Sequence, residues 1–509
     1  MRVPRIRRIR FATGGLALAT AGALALPAGT AVAATAPVPP AATGGRGTPS
    51  ATTAAPLVSY VVNTKANHGQ VKKAEREITA LGGTVVYSYE QIGVIIARSA
   101  DTRFAAELRQ SRTVDSVGAS RTKGIVQNDL ETATEVAAPA AAPADGTEPL
   151  EANQWDLRQI GADKAHRTTL GSRNVVVGVL DSGIDATHED LAPNVDPALS
   201  VSCIDGGKPD TDWKAWQPTT SEHGTHVAGT IAAAKNGKGV VGIAPNVRLA
   251  AVKVVDDGGF IYPEYAICGF VWAGQHHFQV TNNSYYVDPW MFNCKADPDQ
   301  AAIVEGVRRA LLFSQRNGVL SVAAAGNANI DLAHKTTDTS SPDDTTPGSR
   351  PIDGSCLSLP VELPGVVVAA ATGSNGDKSY YSSYGLDKVT VAAPGGDARY
   401  QTPDTPDRNG RILSTVPGNK YAYMQGTSMA SPHVAGVLAL LASSHPWAGP
   451  DELRHLLTSQ ADEHACPTSV YDPGGTGSYK ATCEGGLQNN GFYGAGVVNA
   501  AKAADWWRW

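Results

Sequence analysis

Four side chains stand out for the chemistry they could do together. Ser428 lies among small residues in Gly426-Thr427-Ser428-Met429-Ala430-Ser431-Pro432-His433-Val434-Ala435-Gly436, and an Ala- and Leu-rich run continues to Leu441. This pattern predicts a buried helix with the Ser428 hydroxyl at the positive end of its dipole. Pro432 lacks the N–H that would have bonded the Ser428 carbonyl, so that carbonyl is expected to stay free. On its own, a serine at a helix start is more often a cap than a nucleophile. A hydroxyl that attacks an acyl carbon needs an imidazole to take its proton. It also needs an acid to hold the imidazole in the right tautomer, and donors to meet the oxyanion. His223, Asp181 and Asn327 are residues of those types, and Asp181, His223 and Ser428 follow one another along the chain.

Each residue also has a plainer reading. Asp181 at a strand end could hold a ribose or a metal. His223 and His226, spaced i, i+3, could form a metal pair, although no third ligand lies nearby in sequence. His226 and His433 fit equally as helix residues packed beneath a site. Asp185 and Asp190 fit turn or cap positions, and Asn327 a turn. What favours catalysis is the coincidence of all four in order.

The elements that would position them follow from the apolar pattern. Val175 to Leu180 is an unbroken apolar run ending at Asp181, the mark of a strand buried on both faces of a parallel sheet. His223-Gly224-Thr225-His226-Val227-Ala228-Gly229 reads as a helix start built for close packing. Further strands are expected at 247–255, 280–284, 319–325, 366–371 and 389–393, with helices at 262–276 and 301–316. Alternating strands and helices predict an α/β, doubly wound, mostly parallel sheet in one large domain over 153–509. Ligands collect at the carboxyl ends of such strands.

Upstream, residues 57–122 read as a small ferredoxin-like α+β domain of order β-α-β-β-α-β, with Asp101 capping its second helix. Residues 34–56 form an Ala-, Pro- and Thr-rich spacer expected to be disordered, and 123–152 a linker open to proteolysis. Residues 1–33 fit a secretory signal: Arg2 to Arg10 is basic, Gly14 to Pro27 is apolar, and Ala31-Val32-Ala33 matches a cleavage site. The mature protein is therefore expected outside the cell. Six cysteines, Cys203, Cys268, Cys294, Cys356, Cys466 and Cys483, allow fifteen pairings. Cys466 with Cys483 is favoured by the Gly-rich loop between them, and the absence of any C-x-x-C spacing speaks against a zinc cluster. A formal net charge of −6, with no basic run beyond the N-terminus, removes electrostatic support for nucleic-acid binding. Trp506, Trp507 and Trp509 are expected to pack on the core.

Val179-Leu180-Asp181-Ser182-Gly183-Ile184, the His223 to Thr230 block and the Gly426 to Gly436 block resemble the three signature blocks of the subtilisin-like serine proteases. The likeness covers about 153–502, and the order Asp, His, Ser is that of subtilisin. The resemblance implies Ser428 as nucleophile, His223 as general base and then acid, Asp181 as its support, and the Asn327 amide as oxyanion donor. It implies Ser284 and Gly326 along the substrate path, and residues 57–122 as an inhibitory propeptide of a secreted, monomeric endopeptidase acting on proteins or peptides. No cofactor is required for the chemistry and no metal is assigned to the site, although Asp190 and Asn236 match positions that bind structural calcium in relatives. Lys235 and Lys238 argue against a strong site there. Tyr285 and Tyr286 depart from the family, which has Leu then Gly, and are expected to narrow or reshape the cleft. The polar segment 328–355 is expected to be a surface loop at its rim. An alternative of another class is a catalytically silent binding protein that keeps the fold. An α/β-hydrolase esterase is disfavoured, because the serine comes last and lacks the G-x-S-x-G elbow.

Overall fold

The computed structural model describes residues 56–122, 134–136, 146–402 and 404–505. The signal, nearly all of the 34–56 spacer and the terminal tryptophans lie outside the described residues, as does most of the 123–152 segment.

Residues 58–119 form a four-stranded antiparallel sheet. Its strands Val58–Thr64, Thr84–Tyr89, Val94–Ser99 and Val114–Ala119 stand in the spatial order second, third, first, fourth. That is the ferredoxin-like arrangement. Val71, Ala74 and Ile78 of helix His68–Ala80 recur at helical spacing and close one face, with Asn67 accepting the Gln70 N–H as N-cap. Asp101 does not cap the second helix. Its Oδ1 accepts the Arg103 N–H at 2.9 Å, and the helix begins one residue later at Phe104. The short local bond competes with the capping geometry.

The larger sheet has eight strands. From one edge they are Val391–Pro394, Val367–Thr372, Leu320–Ala324, Val280–Asn283, Val176–Asp181, Arg248–Lys253, Val201–Asp205 and Lys208–Asp210. All neighbours are parallel except the last pair. The run 176–181 explains its own place: Val177 and Val179 enter the core on one face, Val176 and Leu180 the core on the other. Helices His223–Ala232 and Thr427–Ser444 cover the first face, and Pro263–Gln275 and Pro298–Arg316 the second. After Val176–Asp181 the chain adds strands on one side of it, then crosses to Val280–Asn283 on the other. The three strands ending at Asp181, Asn283 and Ala324 are therefore adjacent at the reversal of strand order, where open α/β sheets form their crevice.

The 58–119 unit packs on the second helical face. Asn63 Nδ2 donates to Ala302 O at 2.9 Å, Ala119 N–H to Asp299 Oδ1 at 3.0 Å, and Arg309 pairs with Asp115 at 3.0 Å. Gly118 is needed there, since a Cβ would stand 2.2 Å from the Asp299 carbonyl oxygen. Strand Thr134–Val136 pairs antiparallel with Tyr421 to Tyr423 of the hairpin Ile412–Val416 and Lys420–Met424. The disulfides are Cys203–Cys268, Cys294–Cys356 and Cys466–Cys483, the last as expected. Among the described residues no helix is long and apolar enough to cross a membrane.

Candidate active site

The strand 176–181 delivers Asp181 to its carboxyl end, and the first turn of helix 223–232 lies across it. A Cβ on Gly224 would meet the Gly183 carbonyl oxygen at 2.3 Å, so glycine permits the approach that brings the neighbouring His223 in. His223 Nδ1 lies 2.9 and 3.0 Å from the two Asp181 oxygens. The Asp181 side chain is 2% exposed and that of His223 26%. Asp181 Oδ1 also accepts the Ser182 N–H at 2.7 Å, which fixes the carboxylate independently of the histidine.

Ser428 occupies the first turn of helix Thr427–Ser444, as the sequence predicts. Its hydroxyl donates to Ser284 O at 3.4 Å. Its carbonyl is not free, contrary to expectation: Ser284 Oγ donates to it at 2.9 Å, replacing the N–H that Pro432 lacks. Asn327 is exposed beyond Ala324. Its Oδ1 accepts both the N–H and the hydroxyl of Thr427 at 2.8 Å, which fixes the amide orientation and leaves Nδ2 without an acceptor among the described residues. The Gly326 N–H donates to Thr427 Oγ1 at 3.1 Å, and Gly326 itself adopts φ +104°. Thr427, which sequence reasoning passed over, thus ties the Asn327 segment to the Ser428 helix.

The other histidines have different work. His226 is fully buried, with Nε2 3.1 Å from both Ile412 O and Ala422 O, and burial pulls it down to about 3. Its Nε2 is held by these hairpin carbonyls while His223 Nδ1 is held by Asp181, so the two rings are bound to separate partners. His433 joins Asp156 at 2.9 Å and Met429 O at 2.7 Å beneath the site. Asp185 serves a turn, accepting from Thr187 and from the Gly418 N–H.

At the corner that matches a calcium position of relatives, the oxygens are engaged by the protein's own donors. Asp190 Oδ2 accepts the Tyr421 hydroxyl at 2.9 Å and the Val240 N–H at 3.1 Å. Asn236 Oδ1 accepts the Lys238 N–H at 3.0 Å, and the Lys238 ammonium sits on Glu189 at 3.1 Å. The protein's own donors compensate these oxygens, although Asp190 Oδ1 stays buried without a partner. Burial raises Asp190 to about 6.

Tyr285 and Tyr286 line the cleft without closing it. Tyr285 donates to Asn283 Oδ1 at 3.0 Å and Tyr286 to Asp343 Oδ2 at 2.6 Å, and a cavity of about 410 Å³ lies beside Ser428. Segment 328–355 is more ordered than a surface loop. It contains the strand pair Thr337–Ser341 and Gly348–Pro351, braced by Arg350 on buried Asp338 at 2.6 Å and flanked by the Cys294–Cys356 bridge.

The sequence pattern that defines the subtilase family (peptidase S8) matches residues 172–496. The chain belongs to the subtilase family. It is 30% identical to subtilisin DY of Bacillus licheniformis over 351 residues, 69% of this chain and 98% of that protein. It is also 30% identical to fervidolysin of Fervidobacterium pennivorans over 330 residues, and there it spans only 41% of the relative's length. Among solved structures, proteases of Pseudoalteromonas arctica PAMC 21717 are similar, with a TM-score of 0.52 and 30% identity over 70% of this chain and 98% of that one. The epidermin leader peptide processing serine protease of Staphylococcus aureus shares the fold, with a TM-score of 0.65 at 20% identity over 88% of this chain and 98% of that one.

Proposed function

We propose that this subtilase is a serine endopeptidase that cleaves peptide bonds through an acyl-enzyme, with Ser428, His223 and Asp181 as its triad. The observation that carries this reading is the Asp181–His223 pair at the carboxyl end of a strand whose neighbour leads to Ser284, with the strand leading to Asn327 next in the sheet. Ser428 Oγ attacks the scissile carbonyl carbon as His223 takes its proton through Nε2. Asp181 holds the Nδ1–H and stabilises the imidazolium. The Asn327 Nδ2 and the Ser428 N–H donate to the oxyanion. His223 returns the proton to the leaving amine, and a water repeats the sequence to release the acid.

The chain is made as a secreted precursor in this reading. Residues 57–122 assist folding and block the cleft until the segment that follows is cut. The docking of 58–119 on helices Pro263–Gln275 and Pro298–Arg316 supports this, as does the end of that unit at the cleft rim, where the Thr122 N–H donates to Asp344 Oδ2 at 2.9 Å. A serine-directed fluorophosphonate is expected to label the wild-type chain and not Ser428→Ala. Labelling that survives the substitution would sink the assignment. Ser428→Ala purified alone is also expected to stay unprocessed, and spontaneous maturation of that variant would refute self-cleavage.

A further inference from the structure

The cavity beside Ser428 is of a size that takes a substrate side chain. Ser284 and Asn327 line it, as do the apolar side chains of Met291 and Phe292. Its ionisable acids are Asp288 and Asp343, and no Lys, Arg or His is among the described residues that line it. Asp288 is 5% exposed, and its Oδ2 accepts the Ile261 N–H. Asp343 Oδ2 accepts the Tyr286 hydroxyl, while its Oδ1 is buried with no donor from outside the carboxyl pair. Burial, then the facing Asp343, hold the Asp288 carboxyl well above the usual carboxylate range, and burial raises Asp343 too. The pair therefore keeps a proton that an isolated carboxyl would give up. Buried acids in a substrate cavity with no cation beside them leave a counter-charge to be supplied from outside.

A second observation points the same way. At the rim, the chain lays its own cationic segment on acidic partners. The Arg121 guanidinium lies 3.7 Å over the Tyr262 ring and bonds Glu264 at 2.9 Å. The next residue, Thr122, is held by Asp344, the neighbour of Asp343.

We propose that Asp288 and Asp343 make the cleft selective for a peptide with a cationic side chain, lysine or arginine, on the acyl side of the scissile bond. The stem of that side chain lies along Met291 and Phe292, and its cation displaces the shared proton so that both carboxylates ionise against it. This proposal rests on the endopeptidase reading. The test uses the full chain, with whatever processing it undergoes, and fluorogenic peptides that carry lysine, arginine, norleucine or citrulline at each of the first four acyl-side positions in turn. A cation is expected to raise kcat/KM by about tenfold or more over its neutral counterpart at one position, since desolvated charge pairs contribute on that scale. Asp343→Asn and Asp288→Asn are expected to shrink that preference while fluorophosphonate labelling of Ser428 is retained. The wild-type comparison stands even where a variant misfolds. Cleavage indifferent to charge at all four positions, in a chain that labels normally, overturns this proposal alone. A chain that neither labels nor cleaves overturns both.

Discussion

Two aspartate–histidine pairs of equal length stand one above the other in different surroundings. In the cleft, His223 meets Asp181 at 2.9 Å and remains partly exposed. Beneath it, His433 meets Asp156 at 2.9 Å with both side chains buried. His433 has an acceptor at each ring nitrogen, the Met429 carbonyl and the Asp156 carboxylate. Both of its ring nitrogens are therefore occupied within the fold, and neither is left to face the cleft. Pair distance therefore does not distinguish catalysis from scaffolding. What does is whether the ring can exchange its proton with something that comes and goes.

Breaking each pair in turn should separate the two roles. Asp181→Asn is expected to lower turnover by about 10⁴-fold, because the wrong tautomer is presented, while leaving thermal stability nearly intact. Comparable losses of stability and activity would refute the division. Asp156→Asn should do the reverse: denaturant unfolding is expected to show a loss of about 3–5 kcal/mol, the usual result of breaking a buried pair, with per-molecule turnover near wild type. Asn327→Ala touches neither pair and is expected to cost 10²–10³ in kcat, roughly 3–4 kcal/mol, a magnitude established on subtilisin itself.

The remaining prediction concerns another buried histidine and leaves the chemistry untouched. His226 is held at about 3, below the unfolded value near 6.5, so the unfolded chain binds the extra proton between those limits. Stability from this group is complete above about pH 6.5 and is lost as pH falls toward 3, at about 1.4 kcal/mol per pH unit while one proton is taken up. His226→Gln should flatten that slope in acid unfolding curves. Asp190, raised to about 6, works in the opposite sense between about pH 4 and 6. An unchanged acid slope in His226→Gln would show that another group sets it.

Much of the frame was legible where local pattern and tertiary fate agree. The apolar run before Asp181 permits burial on both faces and nothing else, and the Val71, Ala74, Ile78 spacing fixes the buried side of its helix. The hairpin Ile412–Val416 and Lys420–Met424 carried a turn signal in Pro417-Gly418-Asn419 that the reading passed over. Strand Val201–Asp205 is short and its apolar stretch is interrupted by Ser202, so periodicity does not announce it. Asp288 and Asp343 were opaque for a different reason. They lie 55 positions apart, and only the fold of 328–355 beside the Cys294–Cys356 bridge brings them to one cavity. No local rule couples a carboxyl to another across such a span.

The exchange between Ser284 and Ser428, each hydroxyl directed to the other's carbonyl, has a mechanical meaning. The proline in the helix cuts the internal tether of the first turn, and the wall of the cleft supplies the replacement. Ser428 and the wall are thus tied to each other at two points. Thermal motion of that wall carries the serine with it, and in the proposed reaction a peptide seated against the wall would keep its distance from the Ser428 oxygen while both fluctuate.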